Sequence, residues 1–265
     1  MPELPEVETI VRGLRKSLVG RTFTEIICQW SNSVKPKVSI VKRNLQGKRI
    51  LTLTRRGKYL KFHLSDHSFL FLHLKMSGDL SVEAISNPAH KHVRTTFRFD
   101  NNTELRFKDP RKFGRVFWAK QESEIVGHLG HEPLDSKLTS QKFCNLYKHR
   151  KGVLKALLLN QEIVVGIGNI YADESCFKAK IRPTRKANSL SEIEYERLWN
   201  CLRSVLKTAI KHRGSSFDEV YRGGGFQDHF SVYGRTGQSC KTCETTIKQT
   251  RVLQRSTHYC PHCQK

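Results

Sequence analysis

Two pairs of cysteines near the end of the chain constrain its fold more than any other feature. They read Cys240-x2-Cys243-x16-Cys260-x2-Cys263. Four thiolates at this spacing can complete a tetrahedral Zn²⁺ shell, and a shell with no open position is structural rather than catalytic. A segment of this length is too short to fold on an apolar core, so the metal would supply most of its stability. We therefore predict a separate zinc module over residues 235–265 that holds one structural Zn²⁺.

Two histidines lie beside the second cysteine pair and are alternative ligands. Because four sulfurs already complete the shell, we expect His258 and His262 to be bystanders. The remaining cysteines have no framework spacing, which favours free thiols in a reducing compartment over disulfides. They are Cys28, Cys144, Cys176 and Cys201.

The chain is strongly basic along its whole length. Its 265 residues carry a formal net charge of +23, and the excess of lysine and arginine is spread over every part of it. A basic surface on folded parts is typical of proteins that bind a polyanion, most simply nucleic acid. An unrelated basic enzyme is the alternative. No stretch reaches the roughly 20 apolar residues of a membrane span, and no secretory signal is visible, so we expect a cytoplasmic protein without a membrane partner.

The first half of the chain has the pattern of one helix followed by many short strands. Residues 4–18 place apolar side chains at helical spacing, and Gly20 follows as a stop. The next hundred residues contain short runs rich in β-branched and aromatic residues, with a hairpin signal at residues 100–102. This pattern is typical of a β-sandwich or a β-barrel.

The second half is helical and ends in the zinc module. Residues 191–213 form the clearest helix, and Ser191 with Glu194 has the spacing of a capping box. A further helix is predicted over residues 152–162, and another after the glycine-punctuated turn at 164–168. We divide the chain into an N-terminal domain, a helical domain and the zinc module, covering residues 1–134, 135–234 and 235–265.

Five short motifs occur in an order that resembles a known family. They are PELPEVE from residue 2, MSG at 76–78, DPRKFG at 109–114, VVGIGNIYADE at 164–174 and LQRSTHYCPHCQ at 253–264. Together with the cysteine pairs they resemble the bacterial formamidopyrimidine-DNA glycosylases. The resemblance implies an α+β fold, with an N-terminal helix and β-sandwich followed by a helix–two-turns–helix domain and a C-terminal zinc finger.

The same resemblance implies a function in base-excision repair. It implies a monomeric enzyme of the bacterial cytosol and nucleoid that removes oxidised purines from damaged double-stranded DNA. The enzyme would then nick the strand by β,δ-elimination. The sister branch, endonuclease VIII, prefers oxidised pyrimidines and typically has Gly where Leu4 stands here, which favours the purine branch. A zinc-ribbon DNA-binding protein without catalysis is a further alternative, and it would have no use for Pro2 or Glu3.

The opening residues suit covalent catalysis. Removal of Met1 would leave Pro2 with a secondary amine, which can attack a sugar C1′ and form a cationic iminium. An inert proline at a helix start is the alternative. The resemblance assigns Glu3 the role of general acid and base, which suits a carboxyl group in a dry pocket. Glu6 is expected to support that pocket, whereas Glu8 is expected to act only on the helix dipole.

The resemblance assigns further residues to contacts with DNA. Lys58 would donate a proton in β-elimination and contact a phosphate, although a solvent-exposed lysine at a strand end is the alternative. Arg255 in the zinc finger would bind phosphates at the lesion and assist δ-elimination, a role that suits the forked guanidinium group. Other DNA contacts are expected at His90, for which His92 is the alternative, at Lys151 and at Asn169.

A base that leaves the duplex for an active site leaves a hole in the stack. By resemblance, Met76, Arg111 and Phe113 fill that hole. Met and Phe can wedge between bases, and Arg can pair with the orphaned partner base. For Phe113 the alternative is a core aromatic at a strand start. Lys75 stands where family members often have Gly. The glycine-rich residues 222–226 fall where the family has a loop that covers the lesion, and this stretch is short, so the resemblance leaves the preference among damaged purines open.

Overall fold

The computed structural model describes residues 1–216 and 223–265, which divide into two compact units. Unit 1 consists of Met1–Pro2, Glu6–His128 and Ser216. Unit 2 consists of Glu3–Pro5, Leu129–Ser215 and Gly223–Lys265. Arg222, the first residue of the expected lesion-covering loop, lies outside the described residues.

The chain begins with helix α1, Leu4–Leu18. Within unit 1, its apolar face buries Val7 and Val11, as the helical spacing predicts. The helix ends just before Gly20, which has a φ of 87° and donates its N–H to the carbonyl of Ile50 at 2.8 Å. Glycine adopts this left-handed conformation without steric cost, so the predicted stop is confirmed.

Unit 1 contains two β-sheets. The four-stranded sheet has the order β1-β7-β8-β6, and the five-stranded sheet has the order β2-β9-β5-β4-β3. All pairs are antiparallel except β2 with β9. The strands are β1 Phe23–Cys28, β2 Val34–Lys35, β3 Ile50–Arg56, β4 Tyr59–Leu64, β5 Phe69–His73, β6 Asp79–Ala84, β7 Val93–Phe99, β8 Thr103–Lys108 and β9 Arg115–Ala119.

The two sheets share one apolar core, which makes unit 1 a β-sandwich. The core includes Phe23 and Phe97 of one sheet, and Phe62 and Leu72 of the other. The predicted hairpin is present, since β7 pairs with β8 and Asn102 adopts a φ of 58°. Strands β2 and β6 and two short helices, α2 Val38–Leu45 and α3 Ser123–Val126, were not predicted.

Unit 2 is built mainly from helices around an aromatic core. Phe143, Tyr147, Tyr195 and Trp199 are buried in that core. The predicted capping box is present, because Ser191 accepts the N–H of Glu194 and the Glu194 carboxylate accepts the N–H of Ser191. The helices are α4 Ser140–Tyr147, α5 Leu154–Leu158, α6 Asn169–Lys178 and α7 Glu192–Lys211.

Helix α5 is shorter than the helix predicted over residues 152–162. Gln161 bends back, and its amide donates to the carbonyls of Leu159 at 2.8 Å and Ile167 at 2.9 Å. Its side-chain oxygen accepts the N–H of Gly166 at 2.9 Å. These bonds satisfy backbone groups after the helix end and hold the next turn, so the sequence pattern overstated the helix.

The zinc module contributes the antiparallel hairpin of β10 Lys248–Val252 and β11 Arg255–Tyr259. Short 3₁₀ turns occur at Ser31–Ser33, Ala187–Ser189 and Phe226–His229. In residues 1–216 and 223–265, every helix is too short or too polar to cross a membrane.

Candidate active site and nucleic-acid interface

Glu3 lies at the N-terminal end of helix α6 in unit 2. It is 4% exposed, and its Oε1 accepts the N–H of Ile170 at 3.1 Å. The first N–H groups of a helix have no partner within the helix, and they form the positive end of its dipole. The Glu3 carboxylate therefore occupies a position where negative charge is stabilised.

Two glycines before α6 make room for this arrangement. A Cβ on Gly168 would lie 2.3 Å from Cδ of Glu3, so only glycine allows the carboxylate to approach. Gly166 has a φ of 89°, and a Cβ there would lie 2.7 Å from Cδ1 of Leu4. The N–H of Leu4 also donates to the carbonyl of Gly166 at 3.1 Å. The Gly-Ile-Gly turn thus fixes the backbone of the residue next to Glu3.

The same end of α6 contacts the zinc hairpin. The side-chain amide of Asn169 donates to Oγ of Ser256 at 3.2 Å. Ser256 follows Arg255, which is exposed at the start of β11. The turn before Arg255 places Leu253 and Gln254 at φ values of 47° and 57°. Two predicted DNA-binding residues, Asn169 and Arg255, are therefore linked through one serine.

A buried polar network fixes the hairpin to helices α5 and α6. Lys155 and Asp173 are fully buried and form an ion pair at 2.7 Å. Lys155 Nζ also donates to the carbonyl of Ser256 at 2.6 Å. The second carboxylate oxygen of Asp173 accepts the backbone N–H of His258 at 2.9 Å and lies 3.0 Å from its ring Nδ1. Burial lowers the pKa of Lys155, and the charge of Asp173 opposes that shift.

A second carboxylate in α6 holds the segment that leads into the zinc module. Glu174 accepts the backbone N–H groups of Ser231, Val232 and Tyr233 at 2.8 to 3.1 Å. Burial raises the pKa of Glu174, and these hydrogen bonds oppose that shift. Adjacent acidic residues of the NIYADE motif therefore organise two different segments.

The four cysteines meet in one cluster that fits a zinc ion. Their Sγ atoms all lie within 4.8 Å of one another. The individual separations are 3.9 Å for Cys240 and Cys263, 3.5 Å for Cys243 and Cys260, and 3.3 Å for Cys243 and Cys263. A tetrahedral Zn²⁺ with bonds of about 2.3 Å places its sulfurs about 3.8 Å apart. His258 instead pairs with Asp173, outside this cluster.

In unit 1, Pro2 is buried, and Lys58 is buried in the turn between β3 and β4. The alternative of a solvent-exposed Lys58 is therefore wrong. The turn is held by Arg55, which donates to the carbonyl of Gly57 at 2.9 Å. Glu6 is also buried.

Glu8 has a further role that was not expected from the sequence. It accepts from Arg12 at 2.8 Å and from Arg55 at 3.2 Å. Burial tends to raise the pKa of Glu8, but these two guanidinium groups more than offset it and the pKa is lowered. The residue therefore joins α1 to β3 in addition to lying near a helix start.

The expected void-filling residues are exposed on two loops of unit 1. Met76 is 45% exposed and Phe113 is 44% exposed, so the alternative of a core aromatic at Phe113 is wrong. The guanidinium carbon of Arg111 lies 4.9 Å from the centre of the Phe113 ring. Lys75, beside Met76, has a φ of 54°, a conformation that glycine would adopt more easily.

His73 lies next to the loop that carries Lys75 and Met76, and its Nδ1 accepts the backbone N–H of Lys75 at 3.0 Å. Burial, with the positive charges of Lys75 and Lys58, lowers the pKa of His73 to about 3. The ring therefore stays neutral and can serve as the acceptor.

The remaining predicted contacts, His90 and Lys151, are exposed in units 1 and 2 respectively. His90 accepts the N–H of His92 at 3.2 Å, and the ring of His92 lies 3.3 Å from Arg94. His90 is thus the more exposed of the two alternatives.

Comparison with known proteins identifies the family of this chain. The model of the formamidopyrimidine-DNA glycosylase N-terminal domain matches residues 1–116, that of its H2TH domain residues 129–220, and that of the zinc finger found in FPG and IleRS residues 237–265. The formamidopyrimidine-DNA glycosylase of Protochlamydia amoebophila is 40% identical over 100% of both chains. This chain belongs to the formamidopyrimidine-DNA glycosylase family.

Solved structures of formamidopyrimidine-DNA glycosylases agree with this assignment. The Lactococcus lactis enzyme, non-covalently bound to DNA with an abasic site, is 35% identical with a TM-score of 0.93 over 99% of each chain. A MutM protein in complex with DNA containing carbocyclic 8-oxo-G matches with the same identity and TM-score over 100% of each chain. The predicted fold class is therefore confirmed, and so is the zinc finger with one structural Zn²⁺.

Several residues of this glycosylase fold were given no role from the sequence. Asp173 and Asp109 stood inside quoted motifs, and that was the only signal available for them. Ser77 stood inside the quoted MSG motif in the same way, whereas His73 and Lys155 had no sequence signal, because their partners are set by the folded chain.

Proposed function

We propose that this chain is a bifunctional DNA glycosylase and abasic-site lyase that excises oxidised purines, such as 8-oxoguanine and formamidopyrimidines, from duplex DNA. The observation that carries the proposal is the buried Glu3 carboxylate, which lies against α6 and is bonded in sequence to Pro2. Family membership and relatives solved with 8-oxo-G or abasic DNA support the substrate class. A DNA-binding protein without catalysis would not need this placement.

The proposed reaction uses Pro2 as nucleophile after removal of Met1. The proline nitrogen attacks the sugar C1′, the bond from C1′ to the base breaks, and the base leaves with a proton. Glu3 supplies and later accepts protons as the sugar ring opens. The resulting iminium draws electrons from C2′, so C2′–H is lost and the 3′ phosphate leaves, followed by the 5′ phosphate. Water then releases the sugar fragment and restores the amine.

The proposed DNA contacts follow from residue type and exposure. Arg255 and Lys151 are exposed cations suited to phosphate. Asn169 lies at a helix N-terminus, where backbone N–H groups also favour anions. Lys58 donates a proton in β-elimination, His90 contacts the backbone, and Glu6 supports the pocket.

The void left by the extruded base is filled, in this proposal, by Met76, Arg111 and Phe113. Their exposure leaves them available for insertion, and Arg111 can pair with the orphaned base. The zinc ion holds the hairpin that carries Arg255 and takes no part in bond breaking.

We also propose the domain limits 1–134, 135–234 and 235–265, and a cytosolic location where chromosomal DNA is available. The bacterial origin of the relatives supports that compartment.

Borohydride trapping tests the nucleophile. A duplex with 8-oxoguanine opposite cytosine should give a covalent adduct, and tryptic digestion should locate it on residues 2–12. An uncleaved N-terminal extension, which blocks the Pro2 amine, should abolish trapping. An adduct on another peptide would show that Pro2 is not the nucleophile. Faster excision of thymine glycol than of 8-oxoguanine would instead favour the pyrimidine branch.

The role of Glu3 can be tested by displacing its carboxylate and, separately, by replacing it. Gly168→Ala should displace the carboxylate and lower kcat on the order of 100-fold, as small misplacements of reacting groups do. Glu3→Gln should give a loss of similar size. Gly13→Ala is the matched control, because nothing lies within 4 Å of a Cβ at that position. Full activity of Gly168→Ala would argue against a role for Glu3.

A further inference from the structure

The two loops that carry Met76 and Arg111 with Phe113 are joined by buried polar groups. Ser77 is 4% exposed and Asp109 is 2% exposed, although Met76 and Pro110 beside them are exposed. A buried carboxylate is costly unless hydrogen-bond donors satisfy it. The hydrogen-bond donors to Asp109 therefore identify the contacts that the two loops must keep for its carboxylate to stay satisfied.

Each carboxylate oxygen of Asp109 has a donor from one of these loops. The hydroxyl of Ser77, next to Met76, donates to Oδ1. The N–H of Gly114, next to Phe113, donates to Oδ2 at 2.6 Å. The N–H of Arg111 also approaches Oγ of Ser77 at 3.3 Å. The Asp109 side chain thus connects the neighbours of Met76 and Phe113, and Ser77 accepts the N–H of Arg111 as well.

The backbone of Asp109 is fixed as well. Its carbonyl accepts from Arg94 Nε at 3.0 Å and from the N–H of Lys112 at 3.3 Å. Its own N–H donates to the carbonyl of His92 at 2.8 Å. The backbone that carries the Asp109 carboxylate is therefore fixed by hydrogen bonds within unit 1.

Close packing leaves the loops little alternative space. A Cβ on Gly78 would lie 2.7 Å from the ring of Phe107, and a Cβ on Gly114 would lie 2.4 Å from the same ring. Phe107 is itself buried in the sandwich core. Both loops therefore rest on one core side chain beside the Ser77 and Asp109 contact.

We propose that Ser77 and Asp109 are positioning residues that hold Met76, Arg111 and Phe113 ready for insertion before DNA binds. The inference rests on the proposed function, because it takes these three residues to fill the void. Their ordering then costs little on binding, since loops held in the bound arrangement lose less entropy.

The test places 2-aminopurine beside the lesion in the duplex and follows its fluorescence in stopped flow. Wild-type protein should give a rise when the void is filled, and Met76→Ala or Phe113→Ala should reduce it. Ser77→Ala and Asp109→Asn should slow this rise and lower kcat/KM on the duplex about 10- to 100-fold, the range expected for misplaced groups. Trapping on a single-stranded abasic oligonucleotide, which has no void to fill, should change less than about twofold by the same reasoning.

Ser68→Ala is the matched control. Ser68 is also 4% exposed and donates to an aspartate, Asp66, at 2.7 Å, in the turn between β4 and β5. It should lower the melting temperature about as much as Ser77→Ala and leave the fluorescence step at the wild-type rate.

The outcomes separate the inference from the function on which it rests. A normal fluorescence step in both Ser77→Ala and Asp109→Asn would overturn the positioning role. Equal losses on duplex and single-stranded substrates would also overturn it, because the defect would then be general. Failure of wild-type protein to trap either substrate would instead remove the proposed function.

Discussion

The β-sandwich and the zinc hairpin are both built mainly from antiparallel strands, but different forces stabilise them. The sandwich buries a continuous apolar core drawn from α1, α2 and both sheets. The buried apolar cluster of the zinc module has only four residues, and two of them, Cys240 and Cys260, belong to the cysteine cluster. The sandwich can therefore fold by burial of apolar surface, whereas the hairpin depends on metal and on polar contacts.

The contrast also separates the two ways in which functional residues are held. In the sandwich, the residues proposed to fill the void stand on loops that contact one buried carboxylate, Asp109. In unit 2, the hairpin that carries Arg255 is fixed by Asp173 through His258, and by Lys155 through Ser256. A buried charge does similar work in both places, but only the hairpin also requires a metal.

Removal of zinc should produce the largest difference between the two regions. Structural zinc contributes about 10–16 kcal/mol in zinc-finger peptides, so a chelator should unfold the hairpin and leave the sandwich folded. Hydrogen exchange should show lost protection at β10 and β11 and retained protection at β7 and β8. DNA binding should fall, because Arg255 loses its support.

Phe97→Ala provides the reverse case. It removes a fully buried ring from the sandwich core and should cost about 3–5 kcal/mol of unfolding free energy. The protein should still hold one zinc ion.

The zinc-removal experiment can also contradict the contrast. If the hairpin stays protected after complete metal loss, the contrast between the two regions is wrong.

Asp173→Asn should have the next largest effect. It leaves the buried Lys155 ammonium without its counterion, which typically costs about 3–5 kcal/mol. Urea unfolding with zinc present measures the loss. Glu192→Gln is the matched control, since it breaks a surface pair with Lys148 and should cost less than about 1 kcal/mol. Similar losses of unfolding free energy in the two variants would mean that the buried network stabilises the protein no more than a surface ion pair does.

A pH series should show the contribution of His73 to the sandwich. The folded pKa is about 3, below the ordinary value of 6.5. Between these values the unfolded chain binds a proton that the folded chain does not. The free energy of unfolding therefore decreases as pH is lowered, by up to about 1.4 kcal/mol per pH unit. His73→Gln should reduce the slope between pH 7 and pH 5.

Glu8→Gln should have the smallest effect. The pKa of Glu8 is lowered in the folded state, so its stabilisation is present above the ordinary glutamate range and is lost as pH falls through the folded pKa. Its partly exposed ion pairs should contribute about 0.5–1 kcal/mol. Unfolding at pH 7 should show this loss, and the difference between the variant and the wild type should shrink as pH falls below the ordinary glutamate pKa of about 4.3. A difference that grows at pH 3 would contradict the assigned direction.

Much of the fold could be predicted because its signals are local. The apolar spacing in α1, the capping residues of α7 and the turn at Asn102 each act within a few residues. The shortened α5 shows the limit of such reasoning, because its end is set by Gln161 and by the turn that follows. Strand β6 was missed even though Leu80 and Val82 alternate with polar residues, since none of its side chains is fully buried.

The candidate site divides in the same way. The zinc ligands were found from spacing, and the candidate roles of Pro2, Glu3 and the proposed DNA contacts came from motifs. The exposure of Met76 and Phe113 and the burial of Lys58 needed coordinates, because an isolated aromatic or lysine fits either environment. The ion pair of Glu8 with Arg55 also escaped prediction, since Arg55 lies 47 residues away in sequence.

By itself, the sequence determined the chemistry that this protein can perform. It placed a proline and a glutamate at the start, four thiolates at metal-binding spacing and a large positive charge. Only the tertiary structure decided which polar groups hold these residues in place, as Asp173 does with His258, 85 residues away. The physical reason is that a buried charge must find its donors wherever the fold brings them, and no local pattern records that distance.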